Sequence, residues 1–127
     1  MPEPYIVSID QGTTNAKAAV VGLDGTLVAT ASKAIPLIST DDGGVEQDPN
    51  IVWATIKEIV AEVVRESKVP AEQIEGIICI TQYSSIIPVD LNGEPTMNMV
   101  THMDRRGTRE KMKRYPDYKV DSPLRQL

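Results

Sequence analysis

Three apolar runs follow one another near the N-terminus with almost nothing between them. Tyr5–Ile9 is broken only by Ser8, Ala16–Leu23 carries one lysine, and Leu27–Leu37 alternates loosely until Pro36 stops it. Leu23-Asp24-Gly25, between the second and third runs, is a strong hairpin signal. A parallel connection needs a crossover of about a dozen residues or more. The gaps here are far shorter, so the runs predict a three-stranded antiparallel meander, its first strand buried on both faces apart from Ser8.

The next segment supplies a cover for that meander. "STDDGGVEQDPN" is rich in turn formers and reads as a loop. It ends in a helix start: Asp48 is placed to cap the free N–H groups, and Pro49 suits the first helical position. From Ile51 to Val64 the pattern is helical. Val52, Ile56, Ile59, Val60 and Val63 fall on one stripe, with Lys57, Glu58, Glu62, Arg65 and Glu66 facing away. Lys68–Gln73 is a connector with a helical turn after Pro70. Ile74–Thr81 is then a central strand, and because it follows a helix it pairs parallel to an earlier one. Ile86–Leu91 with "DLNGEP" reads as another strand and turn, Met97–Val100 as a short strand, and Arg106–Tyr115 as a polar surface helix. Residues 121–127 read as a tail. The order predicts an α/β fold with a mixed sheet.

The 127 residues suffice for one domain and one core. Phe is absent, so the core is aliphatic. A net charge of −5 without a long basic block excludes a duplex-binding surface. Basic residues crowd between Arg105 and Arg114, but Asp104, Glu110 and Asp117 dilute them. The lone Cys79, within an apolar run, reads as an inert core residue. Trp53, early in the helix, also reads as core. Met97, Met99 and Met103 alternate at strand spacing as filler on one sheet face. The N-terminus has no basic region followed by a cleavable apolar stretch, and no apolar segment has membrane length, so the expected location is cytoplasmic.

Chemistry concentrates in Asp10-Gln11-Gly12-Thr13-Thr14-Asn15. A phosphate site needs inward backbone N–H groups, small residues that permit close approach, and donor hydroxyls. Gly12 allows a turn with positive φ, and Thr13, Thr14 and Asn15 offer donors. Asp10, at a strand end, is a hard oxygen ligand suited to Mg²⁺, and Lys17 adds a positive charge within reach. A plain hairpin loop with capping Asp and Thr accounts for the same residues, and both readings stand at this point. Neither GxxxxGK[ST] nor a GxGxxG entering a helix is present, which disfavours a Walker-type ATPase and a dinucleotide enzyme. His102 is a candidate base but is more simply a packing or exposed residue. Glu46 and Asp48 are a candidate acid–base pair, against which stands the capping role of Asp48.

"YIVSIDQGTTNAKAAVVGLDGTLV" resembles the opening of the FGGY carbohydrate kinases, within the wider sugar kinase, actin and heat-shock chaperone ATPase fold. "GGVEQDPNIVWATI" is similar to the family's G-W-x-E-Q-D-P and following helix. "IEGIICITQYSSIIPVDLNGEP" resembles its next strand and Gln-containing substrate loop, and "MVTHMDRRG" its W-x-D-x-R segment. The four match in order and spacing from Tyr5 to about Gly107. The resemblance implies the N-terminal lobe of the actin-like ATPase fold, with a ribonuclease H-like mixed sheet. It implies ATP and Mg²⁺ as cofactors and a sugar or polyol as substrate.

Carried residue by residue, the resemblance assigns Asp10 to the metal, and Gly12, Thr13, Thr14, Asn15 and Lys17 to the nucleotide phosphates. It assigns Gln82, Tyr83 and Ser84 to the acceptor, and Asp104 and Arg106 to the acceptor hydroxyls or the hydrogen bonds supporting them. Departures are Gly44 and His102, each where the family has Trp. Tyr83-Ser84 stands where a glycerol kinase has Arg-Glu and a xylulose kinase Met-His, which argues against both substrates. Family members place the catalytic Asp and the adenosine-binding segments in a second domain. The expectation is therefore that residues 1–127 are a partial N-terminal lobe, that no catalytic Asp lies among them, and that the chain alone is inactive. The alternative is a non-catalytic module that self-associates as a homodimer through Arg106–Tyr115 or an open sheet edge. Another ATPase of the same fold ranks behind both, because the fold alone requires neither the Gln82 nor the Asp104 segment.

Overall fold

The computed structural model describes residues 4–108. The expected tail lies outside them, as does the expected polar helix beyond Thr108; Arg106 and Gly107 lie in a turn. In chain order the elements are β1 (Tyr5–Gln11), β2 (Asn15–Gly22), β3 (Leu27–Ala34), β4 (Ile38–Ser39), β5 (Val45–Gln47), α1 (Pro49–Ser67), a 3-10 turn (Ala71–Gln73), β6 (Ile74–Thr81) and β7 (Met99–Val100). The main sheet has the order β3-β2-β1-β6. β1, β2 and β3 form the expected antiparallel meander, and β6 joins β1 in parallel.

The second hairpin follows from its residues. Gly25 takes φ 89°, its N–H donates to the Gly22 carbonyl at 2.9 Å, and the Asp24 carboxylate accepts from the Thr26 N–H and hydroxyl. Strand alternation then sends Val7, Ile9, Ala16, Ala18, Val20 and Ala31 to one face, where α1 buries them with Val52, Ile59 and Val63. The alanines leave room for the helix to lie close to the sheet. Asp48 caps α1 by accepting from the Asn50 N–H at 2.8 Å, and Lys68, at φ 57°, ends it.

Several expectations are corrected. Only one face of β1 is buried: Ile6 and Ser8 are partly open and Asp10 is exposed. β3 ends at Ala34 rather than Leu37, and the expected loop Ser39–Asn50 contains β5 and the end of β4, which with β7 form a second, three-stranded sheet. Trp53 is 60% exposed, with the Lys57 ammonium 5.7 Å from its ring centroid. It follows Val52 by one residue, a rotation that carries it off the buried stripe. β6 is an edge strand, not a central one, and Ile77, Ile78, Ile80 and Cys79 are exposed. The reason is that α1 packs on β2 and β3, less on β1, and no strand lies beyond β6 among the described residues. Ile86–Leu91 makes only the isolated bridges Ile86–Val100 and Val89–Pro95. Of the three methionines, Met99 is buried, Met103 partly buried and Met97 exposed.

These burials predict unequal costs. Ile59→Ala, at a fully buried site, should lower the urea unfolding free energy by about 2–5 kcal/mol. Trp53→Ala should change it by no more than about 0.5 kcal/mol.

Candidate functional site

The Asp10–Asn15 segment is tighter than its sequence suggests. β1 continues through Asp10 to Gln11 and β2 begins at Asn15, leaving Gly12–Thr14 as the turn. The Gly12 N–H donates to the Asn15 carbonyl at 3.1 Å, and the Thr14 carbonyl accepts from the Ile35 N–H. Gly12 does not have positive φ. It is required for close approach, since a Cβ there would lie 2.8 Å from the Asn15 carbonyl oxygen. Among the described residues the N–H groups of Thr13 and Thr14 meet no acceptor. Thr14 and Asn15 are exposed, and the Asn15 amide donates to the Thr14 hydroxyl oxygen at 3.2 Å. The turn thus presents two backbone donors and an exposed hydroxyl.

Asp10 and Lys17 stand beside this turn rather than within it. They are cross-strand partners, both exposed, on the sheet face away from α1. With Ser8, Thr30 and Ser32 they line a cavity of about 340 Å³. Among the described residues no three His, Cys, Asp or Glu side chains converge as a metal cage.

Gln82 extends the β6–β1 ladder, its backbone N–H donating to the Gln11 carbonyl at 2.8 Å. This brings its side chain against the Thr13–Thr14 turn. Its Oε1 accepts from the Thr13 hydroxyl at 3.2 Å and the Ser85 hydroxyl at 2.8 Å. Its Nε2 donates to Gln47 Oε1 at 2.8 Å and approaches Met99 Sδ at 3.9 Å. Gln47, fully buried, donates to the Thr13 carbonyl at 2.7 Å. The structure therefore brings Thr13 and Gln82 together. Tyr83 projects into solvent at 85% exposure, and Ser84 is exposed and held at φ 50°.

Asp104 and Arg106 belong to a separate charged clamp. Arg106 Nη2 lies 2.6 Å from both Asp104 Oδ2 and Glu46 Oε1, and its Nε donates to Asp104 Oδ2 at 3.0 Å. Asp104 also accepts the Val45 N–H at 3.1 Å and the Arg106 N–H at 2.9 Å. These bonds, led by the Arg106 guanidinium, hold the Asp104 carboxyl at about 2. The Asn98 amide donates to Glu46, and this bond, then Arg106, lowers the Glu46 pKa. Glu46 is thus a clamp residue and Asp48 a cap, not an acid–base pair. Gly44 makes room for the clamp: a Cβ there would lie 2.3 Å from Thr40 Oγ1 and 2.9 Å from the Arg106 guanidinium carbon. His102 is exposed.

Three contributors escaped the sequence, Gln47, Asn98 and Ser85, and Glu46 was given a different role. The available signal was the polar run Glu46-Gln47-Asp48 directly before an amphipathic helix, in which only Glu46 and Asp48 were given roles of their own.

Against this geometry, the N-terminal domain model of the FGGY family of carbohydrate kinases matches residues 5–120. The chain belongs to the FGGY family of carbohydrate kinases. Among FGGY relatives, a glycerol kinase of Petrotoga mobilis is 34% identical over 105 residues, covering 82% of this chain and 21% of its own. A glycerol kinase of Haloquadratum walsbyi is 36% identical over 109 residues, covering 85% and 21%. The solved gluconate kinase of Lactobacillus acidophilus superposes with a TM-score of 0.73 at 31% identity, over 81% of this chain and 20% of its own. The fold is that of the actin-like ATPases. The chain spans about a fifth of the length of the curated relatives it matches.

The clamp makes two predictions. Asp104 is lowered from 3.8 to about 2 on folding, so its stabilisation is complete above about pH 4 and is lost as pH falls towards 2. Acid titration followed by circular dichroism should show a loss of about 2 kcal/mol in that window, reduced in Asp104→Asn. Gly44→Ala forces the Arg106 guanidinium or Thr40 aside and should cost about 1–3 kcal/mol in thermal unfolding.

Proposed function

We propose that the chain supplies the phosphate-loop part of an ATP-dependent carbohydrate kinase, which transfers the γ-phosphoryl group to a hydroxyl of a sugar or polyol. The observation that carries this reading is the bridge between the Thr13–Thr14 turn and the Gln82 loop. It sets a turn with backbone donors beside a second loop at the C-terminal ends of parallel β1 and β6, where α/β sheets bind ligands. The N–H groups of Thr13 and Thr14, the close backbone permitted by Gly12, the exposed Thr14 hydroxyl and the Asn15 amide would receive the terminal phosphates, with Lys17 adding charge.

The donor set fits Mg²⁺. The ion keeps most of its waters and takes one or two carboxylates plus phosphate oxygens, and Asp10 offers one exposed carboxylate beside the phosphate turn. Bound there, the ion supplies charge neutralisation on the phosphates. Tyr83 and Ser84 would meet the acceptor with an aromatic surface and neutral hydroxyls, in place of the Arg-Glu pair of a glycerol kinase. Asp104 and Arg106 would act by supporting that region.

Phosphoryl transfer also uses a carboxylate close to the acceptor hydroxyl. Asp104 and Glu46 are unsuited, being locked to Arg106 with lowered pKa values. The catalytic Asp would lie beyond Leu127, with residues 1–127 a partial N-terminal lobe, inactive alone. The setting would be cytoplasmic; among the described residues no helix is long and apolar enough to cross a membrane.

MgATP titrated into the ¹⁵N-labelled chain should move the amides of Gly12–Lys17. Asp10→Ala should weaken that response about tenfold or more, the worth of a charge-assisted contact, while leaving the core signals unchanged. An undiminished response in Asp10→Ala overturns the metal assignment. Turnover of any polyol or ketose by the chain alone overturns the placement of the base. The exposed β6 edge favours a second reading, a self-associating module. Sedimentation distinguishes it, and a monomer at high concentration would count against it.

A further inference from the structure

Gln47, fully buried, and Gln82, half-buried, form a cycle whose polarity is set by a single group. The Thr13 carbonyl can only accept, so Gln47 must turn Nε2 towards it at 2.7 Å. Gln47 Oε1 then faces Gln82, which must present Nε2 at 2.8 Å. Gln82 Oε1 therefore faces the hydroxyls of Thr13 and Ser85, and both must donate. The path leaves Thr13 at its carbonyl and returns at its hydroxyl. Reversing either amide would set like groups against each other beside Gln47, which is fully buried.

We propose that Gln47 and Gln82 are positioning residues that couple the phosphate turn to the acceptor loop, with the Thr13 hydroxyl as the link between them. This rests on the kinase reading given above. The hydrogen of the Thr13 hydroxyl is directed inward to Gln82, so Thr13 contributes its backbone N–H to an anion, while Thr14 turns a hydroxyl outward. A displacement of the turn reaches Gln82 through two routes, the Thr13 hydroxyl and the Gln47 amide. From Gln82 it passes to Ser85, which closes the turn containing Tyr83 and the left-handed Ser84. The geometry of the acceptor loop thus depends on that of the phosphate turn 69 residues away in sequence.

Hydrogen exchange of the ¹⁵N-labelled chain, without ligand, tests the coupling. Thr13→Val keeps the side-chain shape and removes the donor; Thr13→Ser keeps the donor. In Thr13→Val the backbone amides of Gln82 and Ile86, which flank the loop and donate to the Gln11 and Val100 carbonyls, should exchange about tenfold faster, as for one lost hydrogen bond. Thr13→Ser should restore wild-type exchange. Unchanged exchange at Gln82 and Ile86 in folded Thr13→Val overturns the coupling, as does failure of Thr13→Ser to restore it. Should Thr13→Val not fold, Ser85→Ala is read in the opposite direction: altered exchange at Gly12 and Ile35, whose N–H groups donate to the Asn15 and Thr14 carbonyls, supports the relay, and none overturns it. Because no ligand is present, these outcomes are independent of the kinase reading, whose failure would show instead as absent MgATP-induced shifts in the wild-type chain.

Discussion

The buried amide of Gln47 is the interaction on which the upper end of this molecule depends. It has two hydrogen-bonding ends and no access to water, so each end must find a protein partner. One end takes the Thr13 carbonyl and the other takes Gln82. Three segments far apart in sequence are thereby held together: the β1–β2 turn, the end of β5 and the end of β6. Removal of the amide would leave Thr13 and Gln82 each with an unpaired group, so the network is maintained as a unit.

The short run Val45–Asp48 distributes these tasks by strand alternation. The Val45 backbone receives Thr101 and donates to Asp104; Glu46 pairs with Arg106 and Asn98; Gln47 turns to the opposite side; Asp48 caps α1. The two side-chain clusters differ in character. The one at the Gly12–Thr14 turn is neutral, which leaves Asp10 and Lys17 to set the local field. The one around Arg106 is ionic, with its charges satisfied internally. The neutral cluster can sit beside an anion without competing charge, and the ionic one serves as a brace that keeps β5 and the segment after β7 in register. The FGGY family Trp at position 44 gives way to glycine here, and the Arg106 guanidinium occupies the space above that backbone.

Much of the main sheet was legible because its determinants are local. The meander follows from gap lengths and from Asp24-Gly25, and α1 follows from its cap and its 3.6-residue stripe. The Gly12–Thr14 turn was visible as residues but not as shape: Gly12 suggested left-handed backbone, whereas it serves a close approach to Asn15. Trp53 was misjudged because it sits one residue off the buried stripe of α1, and Cys79 and the β6 isoleucines because no helix covers them. Apolar residue type reports a preference for burial, but burial needs a neighbour, and sequence pattern does not say how far α1 extends across the sheet. Asp104 and Arg106 were found through family resemblance, while their partner Glu46, 58 residues earlier than Asp104, was taken for a possible acid or base.

By itself the sequence determined the order of β1, β2, β3, α1 and β6, the antiparallel pairing forced by short connections, and the chemical types gathered near residue 10. Each rests on interactions between residues close along the chain, where periodicity and turn chemistry act directly. Only the tertiary structure decided that Thr13 faces inward to Gln82, that Gln47 joins the two loops, that Arg106 is bound by two carboxylates, and that β6 is an edge strand among the described residues. Those outcomes depend on which polar groups lose water together. That is a property of the packed chain, with partners up to 69 residues apart, and no local pattern records it.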